Sequence, residues 1–327
     1  RGRTEPAANT LAAPVAAAFG LGKVFVADTG NHRVLVFPDL SEGPQVAAGV
    51  PYEAEKVLGQ VSFEFRTPNL IEGREFHFVS SLVTAAGVAL DTSSEPPRLY
   101  VADPNNHRVV GFADARRLRP GATADVVIGQ VDFYRSLVNS PTNDPTQPND
   151  TGLFAPVGVA VDSEGNLWVA DSGNGRVLRF PRPFDNPAGP HRANLVIGQV
   201  DFHSRSPDPT ERTMATPFGI AFTVEGHLVV SDSSHNRVLL FTKPFSNGMA
   251  AAKVFGQASF TSSSAGNRLD ALNSPRHIAI DADDRLYVCD SNNNRVVIYA
   301  RAPAAPPNPE AILVISGLQR PQGVAVN

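Results

Sequence analysis

One twelve-residue pattern occurs five times in this chain, and it restricts the possible folds more than any other feature. VADTGNHRVLVF occupies 26–37, VADPNNHRVVGF 101–112, VADSGNGRVLRF 169–180, VSDSSHNRVLLF 230–241 and VCDSNNNRVVIY 288–299. The aspartates fall at 28, 103, 171, 232 and 290, giving steps of 75, 68, 61 and 58 residues. Self-similar segments in register mark an array of one supersecondary unit. The flanks repeat too. A turn and an apolar strand precede the copies, as in APVGVAVDSEGNLWVAD (155–171), and a G-Q segment follows four of them: KVLGQVSF, VVIGQVDF, LVIGQVDF and KVFGQASF. Each unit therefore reads as four short strands, a to d, joined by turns.

A four-stranded antiparallel sheet cannot bury both its faces alone. Radial repetition packs each sheet on its neighbours and leaves only short edges. The expected fold is all-β, a β-propeller of four-stranded antiparallel blades. Abundant glycine (26) and proline (28) suit many tight turns. The lone Cys289 excludes an internal disulfide framework. It takes the place held elsewhere by Ala27, Ala102, Ala170 and Ser231, so it reads as a small, inert core residue. No apolar run approaches the roughly 18 residues of a membrane helix, which argues against membrane insertion. Residues 1–20 lack the apolar centre of a signal peptide.

The pattern P-x-G-[VI]-A-[VI]-D…[LV]-x-V-[AS]-D-x-x-N-x-R-[VI] resembles the NHL-repeat propeller family, from about Pro14 to Val326, and the GQ-x-[DS]-F extension resembles a bacterial subgroup of it. After an N-terminal segment (1–13), a single propeller domain is expected over 14–327. Its blades lie at about 14–60, 85–130, 156–199, 217–257 and 275–316, and a sixth begins at 320–327. The resemblance implies six blades in the intact protein. The alternative is a five-bladed ring with the last segment docked as an extra strand. The resemblance also implies an exported protein, extracellular or in the cell envelope.

The recurring charges pair at a spacing of five: Asp28/Arg33, Asp103/Arg108, Asp171/Arg176, Asp232/Arg237 and Asp290/Arg295. A catalytic constellation is needed once, so a feature present in every blade is scaffold. Aspartate accepts N–H groups of its own turn, and arginine offers a fixed fork of donors. The pair should staple the b–c hairpin. Asp171→Ala is expected to cost roughly 1–3 kcal/mol and to leave ligand binding intact. His32 and His107 share a turn position with Gly175, Asn236 and Asn294, so imidazole is not required there. Phe63, Phe133, Phe202 and Phe260 are expected to wedge between blades.

Function should sit where the repeat fails. Arg276 stands where Val157, Phe218 and Gln322 stand in other blades, and His277 where Gly87, Gly158, Gly219 and Gly323 stand. Both are expected to face the channel and to bind ligand, with no catalytic residue assigned. Asp144, Asn149 and Asp150, in the long loop 131–155, have the hard oxygens that calcium takes but not the spacing of an EF-hand. No other cofactor is expected. Three readings follow. The first is a non-catalytic propeller that binds a protein, peptide or glycan through its d–a and b–c loop face and channel. The second is a channel-sited, metal-assisted lyase or hydrolase. Relatives within the family resemble the peptide-amidating lyase, whose zinc sits on histidines from several inner strands, whereas only blade five offers one here, displaced by a position. The third is RNA binding, which the d–a loops disfavour: six arginines face ten acids there, and nucleic-acid affinity rests heavily on phosphate neutralisation. The chain as a whole carries a net −4.

Overall fold

The computed structural model describes residues 5–38, 52–68, 72–81 and 84–326. Five separate four-stranded antiparallel sheets follow one another. Blade one holds β1 (Ala16–Gly20), β2 (Lys23–Asp28), β3 (Arg33–Pro38) and β4 (Lys56–Leu58). Blade two holds β5 (Gly87–Asp91), β6 (Arg98–Asp103), β7 (Arg108–Phe112) and β8 (Val126–Ile128). Blade three holds β9 (Pro156–Val161), β10 (Leu167–Asp171), β11 (Arg176–Phe180) and β12 (Leu195–Ile197). Blade four holds β13 (Pro217–Phe222), β14 (Leu228–Asp232), β15 (Arg237–Phe241) and β16 (Lys253–Phe255). Blade five holds β17 (Pro275–Ile280), β18 (Leu286–Asp290), β19 (Arg295–Tyr299) and β20 (Leu313–Ile315). Each sheet is a simple meander with the first strand innermost, where β1, β5, β9, β13 and β17 adjoin in turn. No helix among the described residues is long and apolar enough to cross a membrane.

The core lies between blades, because each sheet buries both faces. Phe25 and Val36 of blade one pack with Leu99 and Phe112 of blade two. Similar seams join blades two and three, three and four, and four and five. Among the described residues no such cluster joins blade five to blade one. There, Leu313 and Ile315 of β20 are exposed, whereas their counterparts Leu195 and Ile197 in β12 are buried. Residues 320–326 lie along the inner side of this gap. The Ser291 hydroxyl donates to the Pro321 carbonyl at 2.5 Å and the His277 amide to the Gln322 carbonyl at 3.4 Å. A Cβ on Gly323 would stand 2.8 Å from the Val15 carbonyl, so this segment touches blade one as well.

The Asp–Arg pairs are buried in all five blades. Arginine Nε donates to aspartate Oδ2 at 2.7, 2.8, 2.8, 3.1 and 2.7 Å. One expectation needs correcting. The aspartate does not cap its own turn; in each blade the short 3-10 turn after it has no side-chain cap. Its second oxygen, Oδ1, instead accepts backbone N–H groups of the loop entering the blade: Ala12, His77, Phe154, Ala215 with Thr216, and Asn273. The arginine grips the same loops, donating to carbonyls three residues apart: Ala7 and Thr10, Glu72 and Glu75, Asn149 and Gly152, Thr210 and Thr213, Arg268 and Ala271. In the first four blades it also binds the backbone carbonyl of the G-Q segment phenylalanine, Phe63, Phe133, Phe202 or Phe260. Those four rings are half-buried. Phe133, Phe202 and Phe260 pack on inter-blade clusters, and Phe63 packs within the blade-one cluster.

Removing one partner of a buried ion pair strands the other. Asp28→Ala, remote from any cavity described below, should therefore cost about 3–5 kcal/mol. Urea unfolding will measure the loss, and a change within error of zero would contradict the staple.

Candidate binding site at the channel mouth

The inner strands begin on one face of the ring, and the incoming loops converge there. They enclose a cavity of about 480 Å³ at the channel mouth. Its apolar wall includes Ala85, Val157 and Phe218, a buried cluster from three successive blades. Phe154 adds a second ring, Ser172 and Gly173 supply the b–c turn of blade three, and among the described residues Arg205 and Arg276 are the only charged ones lining it. The expected face, the one built from d–a and b–c loops, is therefore where the cavity opens.

The staples shape this wall. Asp171 holds the Phe154 amide at 2.7 Å. Asp232 holds those of Ala215 and Thr216, both lining residues, at 3.1 Å each. The scaffold and the site are thus not separable in blades three and four, and Asp171→Ala should disturb binding as well as stability, contrary to the sequence-based expectation. The seam is equally close: Ser172 donates to the Pro217 carbonyl at 2.5 Å.

Arg276 lines the cavity. Its guanidinium carbon lies 4.6 Å from the Phe218 ring centre, a cation–π contact. Its Nε is buried without a hydrogen-bond partner. Burial, and then Arg320 nearby, pull its pKa below the usual arginine range. Arg205 sits across Phe154 at 5.7 Å and makes a 3.4 Å bond to the Pro145 carbonyl. Among the described residues, neither arginine has a carboxylate within ion-pair distance.

His277 differs from the expectation. It does not line the cavity but stands edge-on behind Phe218, with ring centres 5.1 Å apart. Its Nε2 is buried without a partner. Burial lowers its pKa to about 4, against a hydrogen bond to the Ala86 backbone that pulls the other way. The ring is therefore neutral at pH 7 and holds Phe218 in place from behind. His32 and His107 occupy a left-handed position, with φ of 51° and 52°, shared by Gly175, Asn236 and Asn294. That conformation favours glycine and asparagine. The imidazoles nonetheless work there. Nδ1 of His32 accepts from the Phe78 amide at 3.0 Å, and Nδ1 of His107 from the Ala155 amide at 3.1 Å. Asn236 and Asn294 make the same bridge to Ser274 and Arg320.

The loop oxygens considered for calcium are otherwise engaged. Asp144 accepts from Thr146 and Gln147, Asn149 Oδ1 from Thr151 and Gly152, and Asp150 pairs with Arg192 at 2.9 Å. Among the described residues, no three His, Cys, Asp or Glu side chains gather to hold a metal ion. Cys289 is buried, its thiol pushed up to about 12. Missed from sequence were Phe154 and Arg205, and also the G-Q glutamine. Gln199 Nε2, for one, binds the Gly175 and Ser206 carbonyls at 3.1 and 3.0 Å.

The NHL repeat family model matches residues 11–37, 155–180 and 272–299. These are the hairpins of blades one, three and five, with their in-register Asp–Arg staples. The chain carries NHL repeats. Among solved structures, the chain is similar to one from a nidogen/laminin complex, at 14% identity and a TM-score of 0.54, covering 95% of this chain and 83% of that one. It is also similar to a catalytically inactive virginiamycin B lyase from Staphylococcus aureus with quinupristin (13%, 0.50, covering 99% and 76%). A third is a protein from Bacteroides uniformis described as a 6-phosphogluconolactonase (13%, 0.50, 94% and 71%). At such identities the likeness is one of fold. No curated protein sequence matched the chain.

Two of the buried histidines give this propeller a predicted acid response. His32, like His277, is held near 4, mainly by burial. Both bind a proton in the unfolded chain below about 6.5 but not in the folded one until near 4. Stability should therefore fall as pH drops from about 6.5 towards 4. His32→Asn keeps an acceptor at the left-handed position and removes the titration, so urea midpoints of this variant should fall less steeply over that interval. An unchanged slope would contradict the assignment.

Proposed function

We propose that the protein is a binding propeller whose channel-mouth cavity takes a ligand, on a protein, peptide or glycan or free of one. The observation that carries this reading is the make-up of the cavity wall: two aromatic rings and two arginines, with no counter-ion and no acid–base pair among the described residues. Catalysis by proton transfer needs a group whose pKa lies near the working pH. His277 stands behind the wall and is neutral, and the Ser172 hydroxyl is spent on the Pro217 carbonyl. A cavity of 480 Å³ is within the usual range of small-ligand sites. Nucleic acid fits poorly with the acidic loops around it. Export from a bacterial cell rests on the family resemblance.

We also propose that the ring is laid out on six positions, with residues 320–326 in the inner-strand place of the sixth. In support, Ser291 binds Pro321 as Ser172 binds Pro217 and Ser233 binds Pro275.

Ligand-observed NMR with a mixed library of anionic, cationic and neutral fragments tests the binding reading. Hits should be lost in Thr216→Trp, which fills the cavity from its rim, and weakened in Asp171→Ala, which frees Phe154. Hits that persist unchanged in Thr216→Trp would place binding elsewhere.

A further inference from the structure

We infer that the cavity recognises a carboxylate carried by an aromatic or branched apolar group. This rests on the reading of the channel mouth as a binding site. Three observations meet here. First, Arg276 is a partly buried cation whose Nε has lost water without gaining an acceptor. Burying charge without a partner is costly, and Asp171 and Asp232, the acids beneath the wall, are already committed to Arg176 and Arg237. The next cation, Arg320, adds like charge. A ligand carboxylate supplies the missing acceptor, and guanidinium binds that group with matched, charge-assisted bonds.

Second, both arginines of the wall lie on aromatic rings, Arg276 on Phe218 and Arg205 on Phe154. The guanidinium carbons lie 4.6 and 5.7 Å from the ring centres, and Arg205 spends one donor on the Pro145 carbonyl, leaving others for a ligand. The same rings, with Ala85 and Val157, offer an apolar surface beside the cations. A bare inorganic anion would leave that surface wet.

Third, the positive mouth sits inside an acidic surround: the d–a loops carry six arginines and ten acids. A single carboxylate meets the two arginines alone, whereas a polyanion long enough to cross the loops meets their acids. The arrangement selects a small, singly charged end group.

Arg276 also breaks the repeat in a costly way. Val157 and Phe218 fill its position apolarly in blades three and four. A residue kept for function at the expense of the fold should be removable with a gain in stability. Arg276→Met, which retains the length of the side chain over Phe218, should therefore melt at or above the wild-type temperature. Were Arg276 structural, the same change would lower it.

The carboxylate can belong to a peptide C-terminus or to a free organic acid. Isothermal titration with N-acetylphenylalanine, its amide and 3-phenylpropionate tests the class and separates the sources. N-acetylphenylalanine should bind at least about tenfold more tightly than the amide, about the loss expected for one charge-assisted pair. Arg276→Met should abolish that preference, and Arg205→Met, at an exposed side chain, should reduce it several-fold. Weaker binding of 3-phenylpropionate than of N-acetylphenylalanine points to a peptide end, and equal binding to a free acid. Equal affinity for acid and amide, or no binding of any of the three, overturns the inference. The fragment hits lost in Thr216→Trp would then still support a channel-mouth site of other chemistry.

Discussion

Each blade depends on one buried carboxylate that serves two elements at once. One oxygen holds the arginine that opens the next strand, and the other holds the backbone of the loop arriving from outside the sheet. A buried charge must be paired and hydrogen-bonded to be tolerated, and here the bonds that satisfy it are those that tie loop to hairpin. The arginine completes the joint by gathering carbonyls from that loop. Loops without regular structure thereby acquire fixed positions, and in blades three and four those positions are the wall of the channel-mouth cavity: Phe154 hangs from Asp171, and Ala215 and Thr216 hang from Asp232.

That coupling explains how a symmetric scaffold presents an asymmetric site. The staples recur, but the residues they hold do not. Blade three presents a phenylalanine, blade four an alanine and a threonine, and blade five replaces the apolar channel residue with Arg276. A chain of net charge −4 thus exposes a locally positive, aromatic-lined mouth. His277 contributes from behind, a neutral ring in the place of a glycine that backs Phe218, the surface on which Arg276 lies.

The blades were legible because strand alternation and turn residues recur in register, and Arg276 was legible because it interrupts that register. The direction of the staple was not. The N–H groups bound by Asp28, Asp103, Asp171, Asp232 and Asp290 lie 16 to 26 residues upstream, in loops whose lengths differ from blade to blade, so no spacing links them. Phe154 and Arg205 escaped notice for the same reason: nothing in the other loops aligns with them. The variability of His32, His107, Gly175, Asn236 and Asn294 was read correctly as a turn preference. It concealed the acceptor role that histidine and asparagine share there, since that role depends on an amide of the following blade's loop. His277, read as a channel residue, lies one layer deeper, because the strand presents alternate faces and Arg276 takes the channel side.

The five aspartates fix the incoming loops. Native-state hydrogen exchange of the amides of Ala12, His77, Phe154, Ala215 and Asn273 measures this directly. Protection of all five, comparable to that of central strand amides despite their place in loops, is the predicted result. Exchange as fast as that of neighbouring loop amides would contradict it.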